Sequence, residues 1–532
     1  MKATIKEVRN RKFLVSVSYE DKDVLKNTVD HIKWNAKDKL WEIPGTMENL
    51  MLLNSTFEVD SNQITAYVDS LIHEYDKIKY INKIRNDPNW KCLDSQLSYL
   101  YQHQGVAFEA ARIFNQYAIF LDTGTGKTVT AIEIIKYYNT RTLVVCPLTI
   151  IEDAWMEDIE KFSPELKAVS LWAPTKQKRL KKFALDKQIY IANFEGVKML
   201  EKEIINKQFG LIIVDESSKM KDPKSQITKC LLRLSKEIKH RYILSGSPAS
   251  NTPLEYWAQM NFIDPNILGD NFYRFRNLYF NSDYMGYTWT ISDKNRKKIM
   301  EKIKQKAIFY SKDECLDLPD RTYQVRKITM SDPQKAAYKE MKNNLVIELK
   351  DATITAANQI SKIMKLRQVT SGYVYHDAGI VKIADTKLKE LQTVLDEIGD
   401  KQVIIWLNFH FEGNTIMEKL EGKACALWGK LKHDDRHAAI NDFKNGNYQY
   451  LVANPATAAH GLTFTNCSYN IYFSLSYSAE LWKQSKERTH RIGTTKNVTY
   501  IYLLCKDSID EKIYESLQQK KKISTECLEW LK

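Results

Sequence analysis

No apolar run in the 532-residue sequence is longer than a strand. A membrane-spanning helix needs about 20 consecutive apolar residues, so no membrane partner is expected. The opening stretch, "MKATIKEVRNRKFLVSVSY", lacks an uninterrupted apolar segment of the secretory kind. An intracellular, cytoplasmic location is the expectation. The eight cysteines are scattered with no Cys-x-x-Cys pair, which argues against a disulfide framework or a zinc site. No repeat at a solenoid period stands out, and no segment is of low complexity.

What is present is enough apolar residue for sizeable cores: 43% hydrophobic against 27% charged. The length suits roughly three domains at about 150 residues each. A net charge of +13 suits a polyanionic partner such as nucleic acid. An A/T-rich genome, favouring Lys, Asn, Ile and Tyr, would produce the same excess, so charge alone does not decide. Short apolar runs followed by helix-like stretches are more informative. They are "AIFL" (118–121), "TLVVC" (142–146), "IYIA" (189–192), "LIIV" (211–214) and "YIL" (242–244), then "QVIIWL" (402–407), "ACALW" (424–428), "YLVA" (450–453), "NIYF" (470–473) and "YIYLL" (500–504). Continuous runs of this kind read as buried parallel strands, and their alternation with helices as α/β layers. Two such sets predict two similar lobes, at 90–265 and 396–532. Residues 266–395 read as mostly helical and charged. Residues 1–85 read as a small α+β domain, with "KFLVSVSY" (12–19) alternating apolar and polar and "IKWNAKDKLWEIP" (32–44) carrying two tryptophans.

Three stretches carry chemistry. In "YAIFLDTGTGKTVTAIEII" (117–135) a strand runs into a Gly-rich bend and then a helix. Such a bend aims backbone N–H groups at a phosphate, and the helix N-terminus adds positive potential. Lys127 is placed to reach the outer phosphates and Thr128 to hold Mg²⁺. The usual pattern has Gly six residues before the Lys, where this chain has Leu121. Further on, "LIIVDESSKMKD" ends a buried strand in Asp215 and Glu216, suited to holding a metal and orienting the hydrolytic water respectively. In "QSKERTHRIG", Gln484, Arg488 and Arg491 fall at i, i+4 and i+7, one face of a helix whose guanidinium groups would neutralise a transferring γ-phosphoryl group.

In order and spacing these stretches resemble the Swi/Snf group of superfamily-two helicase-like ATPases, from about residue 98 to 515. The resemblance implies two RecA-like parallel-sheet lobes with a helical insertion between them, ATP and Mg²⁺ as cofactors, and double-stranded or branched DNA as partner. "YQHQGV" (101–106) resembles the adenine-reading Q motif, with Gln102 in the glutamine place. "LDTGTGKT" (121–128) resembles motif I, which in this family commonly lacks the first Gly; it gives Thr123, Gly124, Thr125, Gly126, Lys127 and Thr128 as nucleotide contacts. "VVCPLTIIEDAWMEDIEKF" (144–162) is similar to motif Ia, "ANFE" (192–195) to a following DNA-facing motif, "DESSKMKD" to motif II and "LSGSPASNTPLEYW" (244–257) to motif III. "LRQVTSG" (366–372) resembles the helical segment before the second lobe, and "VIIWLNF" (403–409) sits in the place of motif IV. "NPATAAHGLTFTNC" (454–467) resembles motif V and "QSKERTHRIG" motif VI, adding Gly461 and Gln484 as ATP contacts. Thr149, Asn193, Lys219, Asn408 and Thr463 fall where the family touches DNA phosphate. Trp155 and Trp406 are expected to pack in or near the lobe cores.

Two departures matter. The family often has Asp-Glu-Ala-His at motif II, and here Ser217 and Ser218 follow the acids, which leaves open how hydrolysis is coupled to DNA movement. Motif III has Ser245 and Ser247 where Thr is usual. Residues 1–85 resemble, in one short pattern, the HARP domain of annealing helicases, a DNA-binding module, and suit somewhat better a structural element docked on the first lobe. The compact plan resembles viral or bacterial members, the cytoplasm being that of a host if the source is viral. The leading expectation is a DNA-dependent ATPase that moves along duplex DNA and remodels forks, junctions or bound proteins in replication, recombination or repair. A strand-separating DNA or RNA helicase is the second reading. An ATP-switched nucleic-acid clamp is the third, and it would not need Glu216, Arg488 and Arg491.

Overall fold

The ten apolar runs become strands of two all-parallel sheets, nine of them interior and one, at 424–427, on an edge. The structure, a computed structural model, describes all residues except 93–96, 250–251, 284–288, 317, 352–355, 377–378, 430–432, 459–461, 492–493 and 520–532. The chain divides into two units, the first built mainly from Met1–Asp122 and Gly126–Cys315, the second from Thr123–Thr125 together with the chain from Leu316 onward.

The first unit opens with a small sheet of β1 (Lys2–Arg9), β2 (Lys12–Val17), β3 (Lys33–Asn35), β4 (Leu40–Pro44) and β5 (Glu58–Asp60), in the order β3-β4-β2-β1-β5. Its inward residues Ile5, Phe13, Val15 and Ile43 pack with Leu25, Leu50 and Leu53 from its helices into a core of their own. The main sheet comprises β6 (Gln116–Leu121), β7 (Thr142–Cys146), β8 (Ala168–Ser170), β9 (Ile189–Asn193), β10 (Leu211–Asp215) and β11 (His240–Leu244), completed at one edge by β14 (Ala307–Tyr310). A two-stranded hairpin of β12 (Phe280–Ser282) and β13 (Trp289–Ile291) precedes that edge strand. The order is β14-β6-β11-β10-β7-β9-β8. Helices on both faces explain the unbroken apolar strands: every residue of β10 is buried. In register, Ile119 of β6 pairs with Leu244 of β11, and Leu244 pairs with Asp215 of β10. The carboxyl ends of β6 and β10 therefore flank that of β11, where ligands of open parallel sheets bind.

The second unit has a six-stranded parallel sheet, ordered β15-β22-β21-β18-β20-β19. Its strands are β15 (Arg321–Ile328), β18 (Val403–Trp406), β19 (Ala424–Leu427), β20 (Tyr450–Ala453), β21 (Tyr469–Tyr472) and β22 (Val498–Cys505), and a hairpin of β16 (Tyr373–His376) and β17 (Gly379–Lys382) lies between β15 and β18 in sequence. Segment 266–395 is thus not simply a helical insertion. Its β14 belongs to the first sheet and its β15 to the second. β15 is an edge strand whose middle residues are exposed, which is why "RTYQVRKI" shows no continuous apolar run.

The small N-terminal sheet is docked on the first lobe by charge and by a shared helix. Arg11 pairs with Asp264 at 2.8 Å, Lys302 with Glu48 at 2.8 Å, Lys298 with Asp30 at 2.7 Å, and Lys306 with Glu74. The helix Thr65–Asn86 places Ile81 and Ile84 in the core of the main sheet itself. His31 sits in this junction in a left-handed conformation (φ 58), its ring 5.9 Å from that of Tyr279 and its Nε2 buried without a hydrogen-bond partner. Burial, helped by Lys302, pushes its imidazole down to about 4.

A group that stays neutral when folded and takes up a proton when unfolded favours the folded state above its unfolded pKa. The His31 contribution is therefore complete above the ordinary value of 6.5 and is lost as pH falls toward about 4, by up to about 3 kcal/mol. His31→Asn tolerates the same backbone and cannot titrate. Urea unfolding midpoints measured from pH 7 to pH 4.5 should fall less steeply for this variant than for the parent.

Candidate nucleotide site and nucleic-acid contacts

The bend after β6 has the backbone expected of a phosphate-type loop. Gly124 and Gly126 both have positive φ (83 and 88), a conformation that L side chains rarely adopt, and the helix Lys127–Tyr138 starts directly after Gly126. Thr125 is fully buried and Thr128 half-buried in the first turn. Lys127 Nζ donates to the carbonyls of Leu121 and Asp122 at 3.1 and 3.3 Å, so its ammonium is folded over the cradle it would serve.

Asp215 ends β10 as a buried carboxylate. Burial, then the adjacent Glu216, pushes its carboxyl above the ordinary range, while the charge of Lys127 and a hydrogen bond from Trp155 draw it back. Lys127 and Asp215 are thus electrostatic neighbours. Glu216 follows in a left-handed conformation (φ 54, ψ 53), with its N–H donating to Asp215 Oδ1 at 2.9 Å. A non-glycine residue held there stores of order 1–3 kcal/mol of strain, which the surroundings must hold in place.

Two residues at this site escaped the sequence reading of function. Trp155, expected in a core, is fully buried, and its Nε1 also donates to Asp215 Oδ2 at 3.0 Å. It sits on a π-helical stretch, Ile151–Met156, whose extra residue per turn re-aims the indole. Gln104 is the second. Gln102 lies exposed at the start of the helix Gln102–Ile113, donating to the Asp87 carbonyl at 2.5 Å. Gln104 is buried instead, accepts from the Tyr101 N–H at 3.0 Å, and covers Gly126 so closely that a Cβ there would meet its Nε2 at 2.0 Å. The "Y-Q-H-Q" spacing offered both glutamines, and helical phase alone separates them.

The expected DNA-facing residues of the first unit lie on loops after strands. Thr149 is in the turn Leu148–Ile150 after β7, its Oγ1 buried without a partner. Asn193 caps the helix Phe194–Met199, accepting from Gly196 N–H and from Arg179. Lys219 is exposed on the turn Ser217–Met220. In the second unit, Asn408 donates to Ser474 O at 2.9 Å, and Thr463 Oγ1 accepts from Arg491 Nη1 at 2.6 Å. Gly461 lies outside the described residues.

Gln484, Arg488 and Arg491 do not share one helix face. The helix Ala479–Lys486 ends before both arginines, because side chains take its last carbonyls: Arg488 Nε reaches Gln484 O and Tyr500 Oη reaches Lys486 O. The arginines nonetheless hold consecutive residues, Arg488 donating to Leu462 O at 3.0 Å and Arg491 to Thr463. Gln484 is buried with its Oε1 unpartnered.

A phosphate-type loop, an acidic strand tip beside it and two parallel-sheet lobes define the helicase-like ATPase class. The chain matches the SNF2-related domain over residues 101–372 and the helicase conserved C-terminal domain over 386–493. It belongs to the SNF2-related family. It is 24% identical over 451 residues to an uncharacterized ATP-dependent helicase of Mycoplasma genitalium, covering 80% of this chain and 42% of that protein. It is also 24% identical to protein p41 of Acyrthosiphon pisum secondary endosymbiont phage 1, covering 77% of this chain and 92% of that one. Among solved structures it is similar to the Sulfolobus solfataricus SWI2/SNF2 ATPase core in complex with dsDNA, at 22% identity and a TM-score of 0.41, covering 82% of this chain and 96% of that one. The chain spans about two fifths of the length of the first Mycoplasma relative. Among the described residues no helix is long and apolar enough to cross a membrane.

Trp155→Phe keeps the aromatic bulk and removes the donor to Asp215. Leaving that buried carboxylate short of one hydrogen bond should cost about 1–3 kcal/mol in denaturant unfolding at neutral pH.

Proposed function

We propose that the chain is a DNA-dependent ATPase that translocates on double-stranded DNA and remodels forks, junctions or DNA-bound proteins. The observation that carries the reading is the first sheet's phosphate loop next to a buried Asp215 and a left-handed Glu216. Membership of the SNF2-related family and the net charge of +13 support DNA as the polyanion.

In this reading ATP is the substrate. Loop N–H groups from Thr123 to Thr128 cradle its phosphates, and Lys127 leaves the Leu121 and Asp122 carbonyls to pair with the outer ones. The oxygen donors Thr128 and Asp215 fit Mg²⁺, a hard cation, and the raised pKa of Asp215 marks a carboxylate that gains from a positive neighbour. Bound there, Mg²⁺ would neutralise charge on the phosphate oxygens. Glu216 orients the attacking water and takes its proton, while Arg488 and Arg491 bring charge to the transferring phosphoryl group. Gln102 and Gln484 are nucleotide contacts in this reading, as is Gly461. Thr149, Asn193, Lys219, Asn408 and Thr463 serve the DNA backbone. Asn193, Asn408 and Thr463 would first have to exchange an internal hydrogen bond for a phosphate.

Lys127→Ala should abolish hydrolysis, whereas Glu216→Gln should still bind ATP and turn it over slowly. Near-normal turnover by Glu216→Gln would remove that residue from the water-activating role. Arg491→Ala should lower turnover on the order of a thousandfold with ATP affinity nearly intact. Equal loss of both would make Arg491 a ground-state or structural residue.

Backbone binding releases counterions, so the DNA-stimulated rate should fall steeply between low and physiological salt. A stimulated rate indifferent to salt would exclude DNA backbone binding as the activating step.

A further inference from the structure

The turn that carries Glu216 is fastened to the loop after β11 by a side chain outside every motif recognised in the sequence. Ser217 Oγ donates to Gln259 Oε1 at 2.7 Å, and both residues are fully buried. The amide of the same Gln259 donates to Pro248 O at 2.6 Å and to Glu255 O at 2.9 Å. Its acceptor and its donor groups are all engaged, so the carboxamide has one way to sit. A second tie runs alongside, Lys221 Nζ to Glu255 Oε1 at 3.1 Å.

We propose that Gln259 is a positioning residue that couples the 244–257 loop to hydrolysis by holding Ser217, and through it the turn of Glu216. The proposal rests on the reading of the site as an ATPase. Two observations carry it. Glu216 occupies a strained left-handed conformation, so something adjacent must hold it, and the Ser217 hydroxyl is the next side chain along. Ser218, in the place of the usual histidine, has its Oγ buried without a hydrogen-bond partner among the described residues, so it supplies no such link. In a buried network each member is costly to leave unsatisfied. A shift of Pro248 must therefore carry Gln259 with it or break the one buried bond between them, and a displaced Gln259 carries the change to Ser217. Ser247 N–H, one residue before Pro248, is itself held by Ser245 Oγ at 3.1 Å, which ties Pro248 to the residues just after β11.

The test compares parent, Ser217→Ala, Gln259→Leu and the double variant. The readouts are ATPase rate with and without duplex DNA, KM for ATP, and thermal stability. Ser217→Ala, the mildest change, leaves the Gln259 bonds to Pro248 and Glu255 in place. It should stay folded with a melting temperature lowered by a few degrees, from the Gln259 Oε1 left unsatisfied, and keep KM while the ratio of DNA-stimulated to basal turnover falls by about fivefold or more. Gln259→Leu should lose stimulation to a similar extent, and the double variant should lose no more than the worse single, since both sever one link. Undiminished stimulation in a folded Ser217→Ala, or additive losses in the double, would overturn the coupling role. A parent that hydrolyses no ATP would overturn the ATPase reading itself, and this proposal with it.

Discussion

The structure of the first lobe is organised around one costly placement: a carboxylate at the dry end of a parallel sheet. Asp215 terminates a strand with no exposed residue, and burial and its acidic neighbour both oppose its ionisation. An isolated buried charge of this kind would shed itself by taking a proton. Here it is met by an indole N–H from Trp155, by the N–H of Glu216 and by the field of Lys127. The π-helical stretch, the left-handed turn and the phosphate loop all bring groups to that carboxylate. In the proposed function the same imbalance favours a bound cation and nucleotide phosphates over a proton.

The strands at the sheet centres were legible because they are buried on both faces, which forces continuous apolar sequence on them. "LIIV", "TLVVC" and "VIIW" leave no doubt. Edge strands vary: β14 and β19 keep apolar runs and β15 does not. β15 pairs on one side only and is written in alternating and charged residues, and β14 lies far in sequence from the strand it joins. The motif residues on loops were legible as a set, since a Gly-Lys-Thr bend and an Asp-Glu strand end each dictate local backbone. Their side-chain partners were not. Nothing in "IIEDAW" states that the helix widens to aim Trp155 at Asp215, and nothing in "EYWAQM" separates Gln259 from an ordinary helix residue. Helical spacing also misled at Gln484, Arg488 and Arg491, where side chains satisfy the last carbonyls and end the helix early.

The N-terminal residues show how little a domain boundary says about independence. The small sheet has its own core, yet the helix that leaves it inserts Ile81 and Ile84 into the core of the main sheet. Ion pairs at Asp264, Lys298, Lys302 and Lys306 fix the remainder. Each buried isoleucine removed costs about 2–5 kcal/mol, so taking away the helix would strip the main sheet of part of its core. The docking reading therefore has physical support, and it leaves the outward face of the small sheet available for other roles.

In the proposed function, the charge-frustrated strand tip beside the phosphate loop hydrolyses ATP when DNA is bound. The most direct measurement is steady-state phosphate release with Mg²⁺ and ATP, alone and with single-stranded, duplex, forked and four-way DNA. The account expects a low basal rate that rises with duplex-containing DNA. A rate that is substantial without nucleic acid and unchanged by any of the four would contradict it.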